Sequence, residues 1–342
     1  MASNNRNANN RGSNNRNRSG GAGGNRSQGG SRGGPGSSRG RSSASNSGRS
    51  NSYGNGPPRW LWAIVGLVVV AVAVIIVVAT NKSSSTSSQL GGGMSPSVVK
   101  AVTTGVSSSL LEQAGLDPTN VNNLPISLGK QTALAVNGKP EVLYIGAEYC
   151  PYCAAERWPL VLALSRFGTF SNLGKTTSSA TDVYPNTPTF SFYKSSFTSP
   201  YIVFDSVELA TNTGQTLQSP TKAQNALINK YDTAPYVQGQ SGSIPFIDFG
   251  NKFIQSGAEY SPQILQGLTY DNIAGQMTVS GTNVGGAIDA AANLLTAAIC
   301  SITNNQPAQV CSTATIRQAL VKIEANKPSK PSSANATPGA AG

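Results

Sequence analysis

The chain has 342 residues with 25 basic and 14 acidic side chains, four cysteines and no histidine. Ten of the basic residues are arginines between Arg6 and Arg59, a stretch without a single Asp or Glu, which leaves fifteen basic against fourteen acidic residues elsewhere. The formal charge of +11 therefore belongs to the N-terminal segment, and a strongly basic folded domain is excluded.

Residues 1–59 consist almost entirely of Asn, Ser, Gly and Arg, without Leu, Ile, Val or Phe. Such a composition cannot bury enough apolar surface to offset chain entropy, so the segment is expected to be disordered. Its arginines suit a passive, topology-fixing tail, contact with lipid headgroups, or contact with nucleic acid. Only Tyr53 offers a ring for base stacking.

Residues 60–80 follow as an apolar run, "WLWAIVGLVVVAVAVIIVVAT", uncharged and opened by Trp60 and Trp62. A helix of about 20 such residues matches the hydrocarbon thickness of a bilayer, with aromatic rings favouring its boundary. The run is too long and too far from the start for a cleaved signal peptide. Arginines on its N-terminal side orient the tail to the cytoplasm and the rest of the chain outward, by the positive-inside rule. Residues 81–94 are Ser/Gly-rich and read as a tether. Residues 95–325 are expected to form one extracytoplasmic domain, with a second disordered tail over 326–342.

Within that domain, "SPSVVKAVTTGVSSSLLEQAG" starts with Ser95 as a cap and Pro96 in the first turn. Val98, Val102, Val106 and Leu110 recur at helical spacing, and Gly115 ends the predicted helix. "TALAVNGKPEVLYIGA" predicts a hairpin turning at Asn137-Gly138, with Val142 to Ile145 as a core strand. "CAAERWPLVLALSRFG" predicts a helix that Pro159 bends or makes irregular. Aromatic and β-branched residues predict strands in "PTFSFYKSSF" and "PYIVFDSVEL". "SPTKAQNALINKYD" predicts a helix capped by Ser219, and "SIPFIDFGNKF" two strands around a Gly-Asn turn. "GGAIDAAANLLTAAICSI" and "STATIRQALVKIEA" predict closing helices. Alternating strands and helices give an α/β class, a mixed sheet with helices packed on it.

Cys150 and Cys153 stand in "EYCPYCAAERW", between that core strand and its helix. A cysteine at a helix N-terminus meets unpaired backbone N–H groups and the positive end of the dipole, which favour a thiolate. Redox exchange, an inert disulfide and half of a zinc site all use C-x-x-C. Zinc would need two further ligands; no histidine exists, and ten residues separate Cys300 from Cys311 rather than the two to four of a second half-site. In the redox reading Cys150 is the nucleophile and Cys153 the resolving partner. Cys300 and Cys311 border two predicted helices, where a structural disulfide is expected and a second redox pair is the alternative. Glu148 is a candidate for tuning the pair, against a plain solvated side chain, and Glu156 a weaker one.

The strand, the Cys150-Pro151-Tyr152-Cys153 sequence and the helix resemble the thioredoxin/glutaredoxin superfamily, "CPYC" being the glutaredoxin-type variant. That resemblance implies a thioredoxin-like fold in which Ile244-Pro245 is a cis-proline element facing the cysteines. It also implies that Ile244, Pro245, Pro151 and Tyr152 contact the substrate. About 90 residues separate Cys153 from Pro245, roughly twice the family spacing, so an insertion is expected. Tyr149 stands where a tryptophan is usual. Residues 95–322 also resemble a membrane-anchored family known as domain of unknown function 929, through "KPEVLYIGAEYCPYCAAERW" and "TPTFSFYKSSFTSPYIVFDSVE". The expectation is a single-pass membrane thiol–disulfide oxidoreductase acting on thiols or disulfides of exported proteins, served by an unidentified redox partner and needing no cofactor or metal. A non-catalytic binding or scaffold module of the same fold is the alternative.

Overall fold

The computed structural model describes residues 92–117, 119–237 and 242–328. The arginine-rich segment, the apolar run 60–80, nearly all of the 81–94 tether and the end of the chain lie outside the described residues.

A six-stranded mixed sheet organises the domain. The first strands in chain order are β1 (Ile126–Ser127), β2 (Ala135–Val136) and β3 (Lys139–Gly146). Strands β2 and β3 form the predicted hairpin, with Asn137 at φ 51° and Gly138 at φ 78°. Both residues are left-handed, as a two-residue type I′ turn requires, and Asn-Gly adopts that geometry at the least steric cost. Strand β3 is central. It pairs in parallel with β8 (Val203–Glu208) and antiparallel with β9 (Phe246–Phe249). Strand β9 turns at Gly250-Asn251 into β10 (Phe253–Ser256), whose far edge carries β1.

Because alternate residues of a strand face opposite ways, β3 has two buried faces to cover. Val142 and Tyr144 point into the larger apolar cluster, where helices α3 (Pro151–Ser165) and α6 (Asn283–Ile302) lie. Leu143 and Ile145 pack with Val207 and with Leu227 and Ile228 of α4 (Lys222–Tyr231) on the other side. A strand covered on both faces reads as continuous apolar sequence, which is what "VLYI" is.

The helical parts depart from expectation in two places. The predicted helix at Ser95 is three pieces: α1 (Pro96–Lys100), a π-helical turn (Ala101–Gly105) and α2 (Ser108–Ala114). The chain becomes extended at Val106, and Ser107 starts afresh by accepting the N–H of Leu110 at 3.2 Å. Val98 and Val102 are buried, but in α2 the buried residue is Leu111, not Leu110. Helix α4 is capped by Thr221 rather than Ser219, in a reciprocal pair with Gln224. A hydroxyl satisfying the third helical N–H while that residue's amide reaches back satisfies two orphan donors at once, an advantage Ser219 lacks.

Short strands β4 (Thr169–Ser171) with β7 (Ser196–Thr198), and β5 (Gly174–Thr177) with β6 (Pro188–Ser191), form two small sheets apart from the main one. All four strands lie between Cys153 and Pro245 in the sequence. Helix α5 (Tyr270–Met277) precedes α6, and α7 (Ala308–Cys311) and α8 (Ala314–Ala325) follow it. Helix α6 is, among the described residues, the one long and apolar enough by composition to cross a bilayer, yet 83% of its most apolar 18-residue stretch is buried inside the protein. Its small residues let neighbours approach closely: a Cβ at Gly285 would strike the backbone of Gln276. Cys300 at its end is bonded to Cys311, the expected disulfide, with Cα atoms 5.5 Å apart.

Candidate functional site

Strand β3 ends at Gly146, and the chain reaches Cys150 in four residues. Gly146 is required where it stands, because a Cβ there would collide with the Tyr144 hydroxyl. Cys150 is the N-cap of α3, in extended geometry, with Pro151 as the first helical residue. Proline costs nothing there because the first helical N–H has no partner to lose. The Cys150 Sγ accepts the N–H of Cys153 at 3.3 Å, so a sulfur does the work of the usual hydroxyl cap.

On its other side the same sulfur lies 3.5 Å from the carbonyl oxygen of Ile244, to which the thiol donates. The Ile244-Pro245 peptide is cis, and this corner leads directly into β9. Residues 94 positions apart in sequence are thereby in contact. Both cysteines are free thiols; Cys150 is 7% exposed and Cys153 fully buried. Tyr149 and Tyr152, at 40% and 41% exposure, flank the small opening. Tyr152 meets the ring of Tyr184 edge to face, 6.2 Å between centroids. Ser179 donates its N–H to the Tyr149 carbonyl and so ties the β5–β6 loop to the site.

The two sulfurs differ in acidity. The neighbouring Cys153 thiol donates to the Cys150 sulfur, and together with the N–H groups of Cys153 and Tyr152 and the charge of Arg157 it outweighs burial. Cys150 is held below the ordinary thiol value. Cys153 is pushed well above it, first by burial and then by its proximity to the Cys150 sulfur. An acidic, slightly exposed sulfur next to a buried, protonated one is the asymmetry that thiol exchange uses, since the thiolate attacks and access decides which sulfur does so.

Beneath the pair lies an ion pair the sequence did not announce. Arg157 donates from Nε to Glu208 Oε1 at 2.9 Å and from Nη2 to Oε2 at 2.7 Å, with both side chains fully buried. Glu208 Oε1 also accepts the Phe192 N–H at 3.2 Å. The guanidinium carbon lies 5.8 Å from the Tyr144 ring centre. Glu208 closes β8, so the parallel β3–β8 pairing is what brings it under the cysteine helix. Its place 51 residues after Arg157 leaves no local pattern to find. The signal available was Arg157 itself, which with Glu156 is one of two charges in an otherwise largely apolar helical run.

Glu148 is buried and accepts from Ser191 Oγ at 2.6 Å and Thr176 Oγ1 at 3.2 Å, two hydroxyls of the β5–β6 sheet. It borders a cavity of about 570 Å³ shared with Lys175 and Lys194. Glu156, also on α3, is fully buried and faces Glu259 in the core. Among the described residues no group of three or more Cys, Asp or Glu side chains is arranged to hold a metal ion.

The sequence model of the family described as Domain of unknown function (DUF929) matches residues 128–301, which include both free cysteines, Ile244, Pro245, Arg157 and Glu208. Neither the curated proteins nor the solved structures contain a match to the chain.

Proposed function

The chain belongs to the family described as a domain of unknown function (DUF929), and from that premise we propose that it is a thioredoxin-like thiol–disulfide oxidoreductase acting through Cys150 and Cys153. The observation that carries this reading is the Cys150 sulfur, capping a helix and lying 3.5 Å from the Ile244 carbonyl. A substrate disulfide is attacked by the Cys150 thiolate, which forms a mixed disulfide and releases one substrate thiolate. Cys153 then gives up its proton and its sulfur attacks Cys150. The internal disulfide closes, the second substrate thiolate leaves, and two electrons have passed to the substrate. The same steps reversed oxidise a substrate dithiol. Pro151, Tyr152, Ile244 and Pro245 are the proposed contact residues, on the strength of the resemblance to thioredoxins and glutaredoxins.

The membrane setting is part of the proposal. Residues 60–80 would anchor the domain outside the cell, where exported proteins are the substrates and a second redox protein restores the pair. The Cys300–Cys311 bond supports an oxidising compartment, because cytosolic reductants keep most such pairs open. The arginine-rich tail would remain on the cytoplasmic side, available to lipid headgroups or nucleic acid.

Cys150→Ser is expected to abolish disulfide exchange with a reduced-dithiol or disulfide peptide, and Cys153→Ala to accumulate a mixed disulfide at Cys150 detectable by intact-mass measurement. Exchange persisting in Cys150→Ser defeats the proposal. The near-complete burial of Cys150 supports the second reading, a binding module with a quiescent pair. That reading predicts no mixed disulfide in Cys153→Ala.

A further inference from the structure

The fully buried Cys153 poses a problem for any exchange chemistry. Its sulfur must carry negative charge during turnover, as attacking thiolate in one direction and as leaving group in the other, while shut off from solvent. Charge in such surroundings is disfavoured by desolvation unless an opposite charge stands close by.

The cation available is Arg157. Cys153 and Arg157 are four residues apart on α3, so they share one helix face. The guanidinium is held rigidly from two of its nitrogens by Glu208, while Nη1 has no hydrogen-bond partner among the described residues. The Tyr144 hydroxyl beside it likewise has none. Buried donors left open are rare in folded proteins, and each carries a desolvation cost that an apolar side chain would avoid. An ion pair of this kind is seldom the most stabilising filling for its space. Its retention under the cysteine pair fits a role in the chemistry better than one in folding.

We infer that Arg157 is the positioning residue for sulfur anion at this site, a fixed internal charge clamped by Glu208 that favours the thiolate on both Cys150 and Cys153. The inference rests on the oxidoreductase reading for its purpose but not for its test. The Arg157 charge acts on both sulfurs in the direction of the thiolate. Glu208 has two opposed effects. It fixes the guanidinium in place, and its own negative charge offsets part of the positive one. Glu208→Gln keeps one oxygen to hold the guanidinium and removes only the negative charge, so it strengthens the field at the sulfurs, whereas removing both charges abolishes it.

The experiment is a pH titration of Cys150 in the full reduced chain, followed by far-ultraviolet thiolate absorbance and by the alkylation rate with iodoacetamide. Three variants are compared with the parent: Arg157→Met/Glu208→Leu, Glu208→Gln and Arg157→Lys. The double variant fills the space without charge and is expected to raise the Cys150 midpoint by about one pH unit or more. Glu208→Gln is expected to lower it, and Arg157→Lys, which keeps the charge, to stay near the parent value. A role in packing alone would not produce shifts of opposite sign. Each folded variant decides independently: an unmoved midpoint in the double variant, or an upward move in Glu208→Gln, overturns the inference. A Cys150 that titrates as expected in every variant yet exchanges with no disulfide would instead sink the oxidoreductase reading and leave the assignment of Arg157 standing.

Discussion

Pro159 sits in the middle of α3, where it supplies no N–H to the carbonyl of Ala155 four residues earlier. Tyr260 supplies the missing donor: its hydroxyl reaches the Ala155 oxygen at 2.7 Å, in a fully buried place. The helix continues to Ser165 despite the proline. The proline was visible in the sequence and a disturbed helix followed from it; the tyrosine 105 residues after Ala155 that repairs the defect was not. Tyr260→Phe keeps the ring and removes only the donor, leaving a buried carbonyl unsatisfied. It is expected to lower stability by about 1–3 kcal/mol in urea unfolding, without a change in the Cys150 titration. A variant as stable as the parent would mean that the carbonyl finds another donor.

At the scale of elements, helix α6 is covered by α3 on one side and α8 on another, and the disulfide fastens its end to α7 just before α8 begins. The bridge closes a loop with a sequence separation of 11. Cross-linking so short a loop restricts the unfolded chain by an amount worth about 2–3 kcal/mol. Cys300→Ala/Cys311→Ala is expected to lose stability on that order while retaining the exchange proposed for Cys150 and Cys153. Activity lost together with the bridge would instead mark it as a second redox pair. The sequence foresaw this bond because both cysteines flank strong helix signals. It did not foresee the break at Ser107 in the first helix, because the four-residue recurrence of valines runs through Val106 without interruption. There the backbone prefers a fresh Ser107 cap, which lets Leu111 and not Leu110 reach the core.

At the scale of the whole molecule, buried carboxyl groups outnumber buried cations among the described residues. Among the described residues one ion pair is present, Arg157 with Glu208. Glu156 and Glu259 are both fully buried within hydrogen-bonding reach of each other, and neither meets a hydroxyl or a cation there. Two carboxyls bond to each other only if one keeps its proton. Burial pushes Glu156 well up and Glu259 up from 4.5 to about 7. Burial likewise pushes Asp248 from 3.8 to about 7 and Asp289 from 3.8 to about 8. The folded state therefore retains protons that the unfolded chain releases near pH 4. Stability from these groups is fully present below that value and is lost as pH rises through about 7 to 8. Glu112 and Asp117 are shifted the other way by hydrogen bonds but are largely exposed, so they weigh little and only toward the acid end. The urea midpoint is expected to be higher at pH 5 than at pH 8, by on the order of a few kcal/mol in unfolding free energy. A midpoint that rises from pH 5 to pH 8 would refute the account.

The sequence by itself determined the α/β class, the central strand, the Asn137-Gly138 hairpin and the helix that begins at Cys150. Each of these depends on local patterns: apolar runs, turn residues with left-handed geometry, and a proline at a helix start. The segregation of positive charge into the first 59 residues was equally legible, since it is a matter of counting. That Ile244-Pro245 faces the cysteines was expected from the resemblance; the tertiary structure alone decided the rest of what surrounds the sulfurs. Glu208 under Arg157 and Tyr260 on the Ala155 carbonyl behind Pro159 join residues 51 and 105 positions apart. Such contacts follow from how strands pair and helices cross, and a side chain's acidity follows from those contacts, because desolvation and nearby charge act through space and not along the chain.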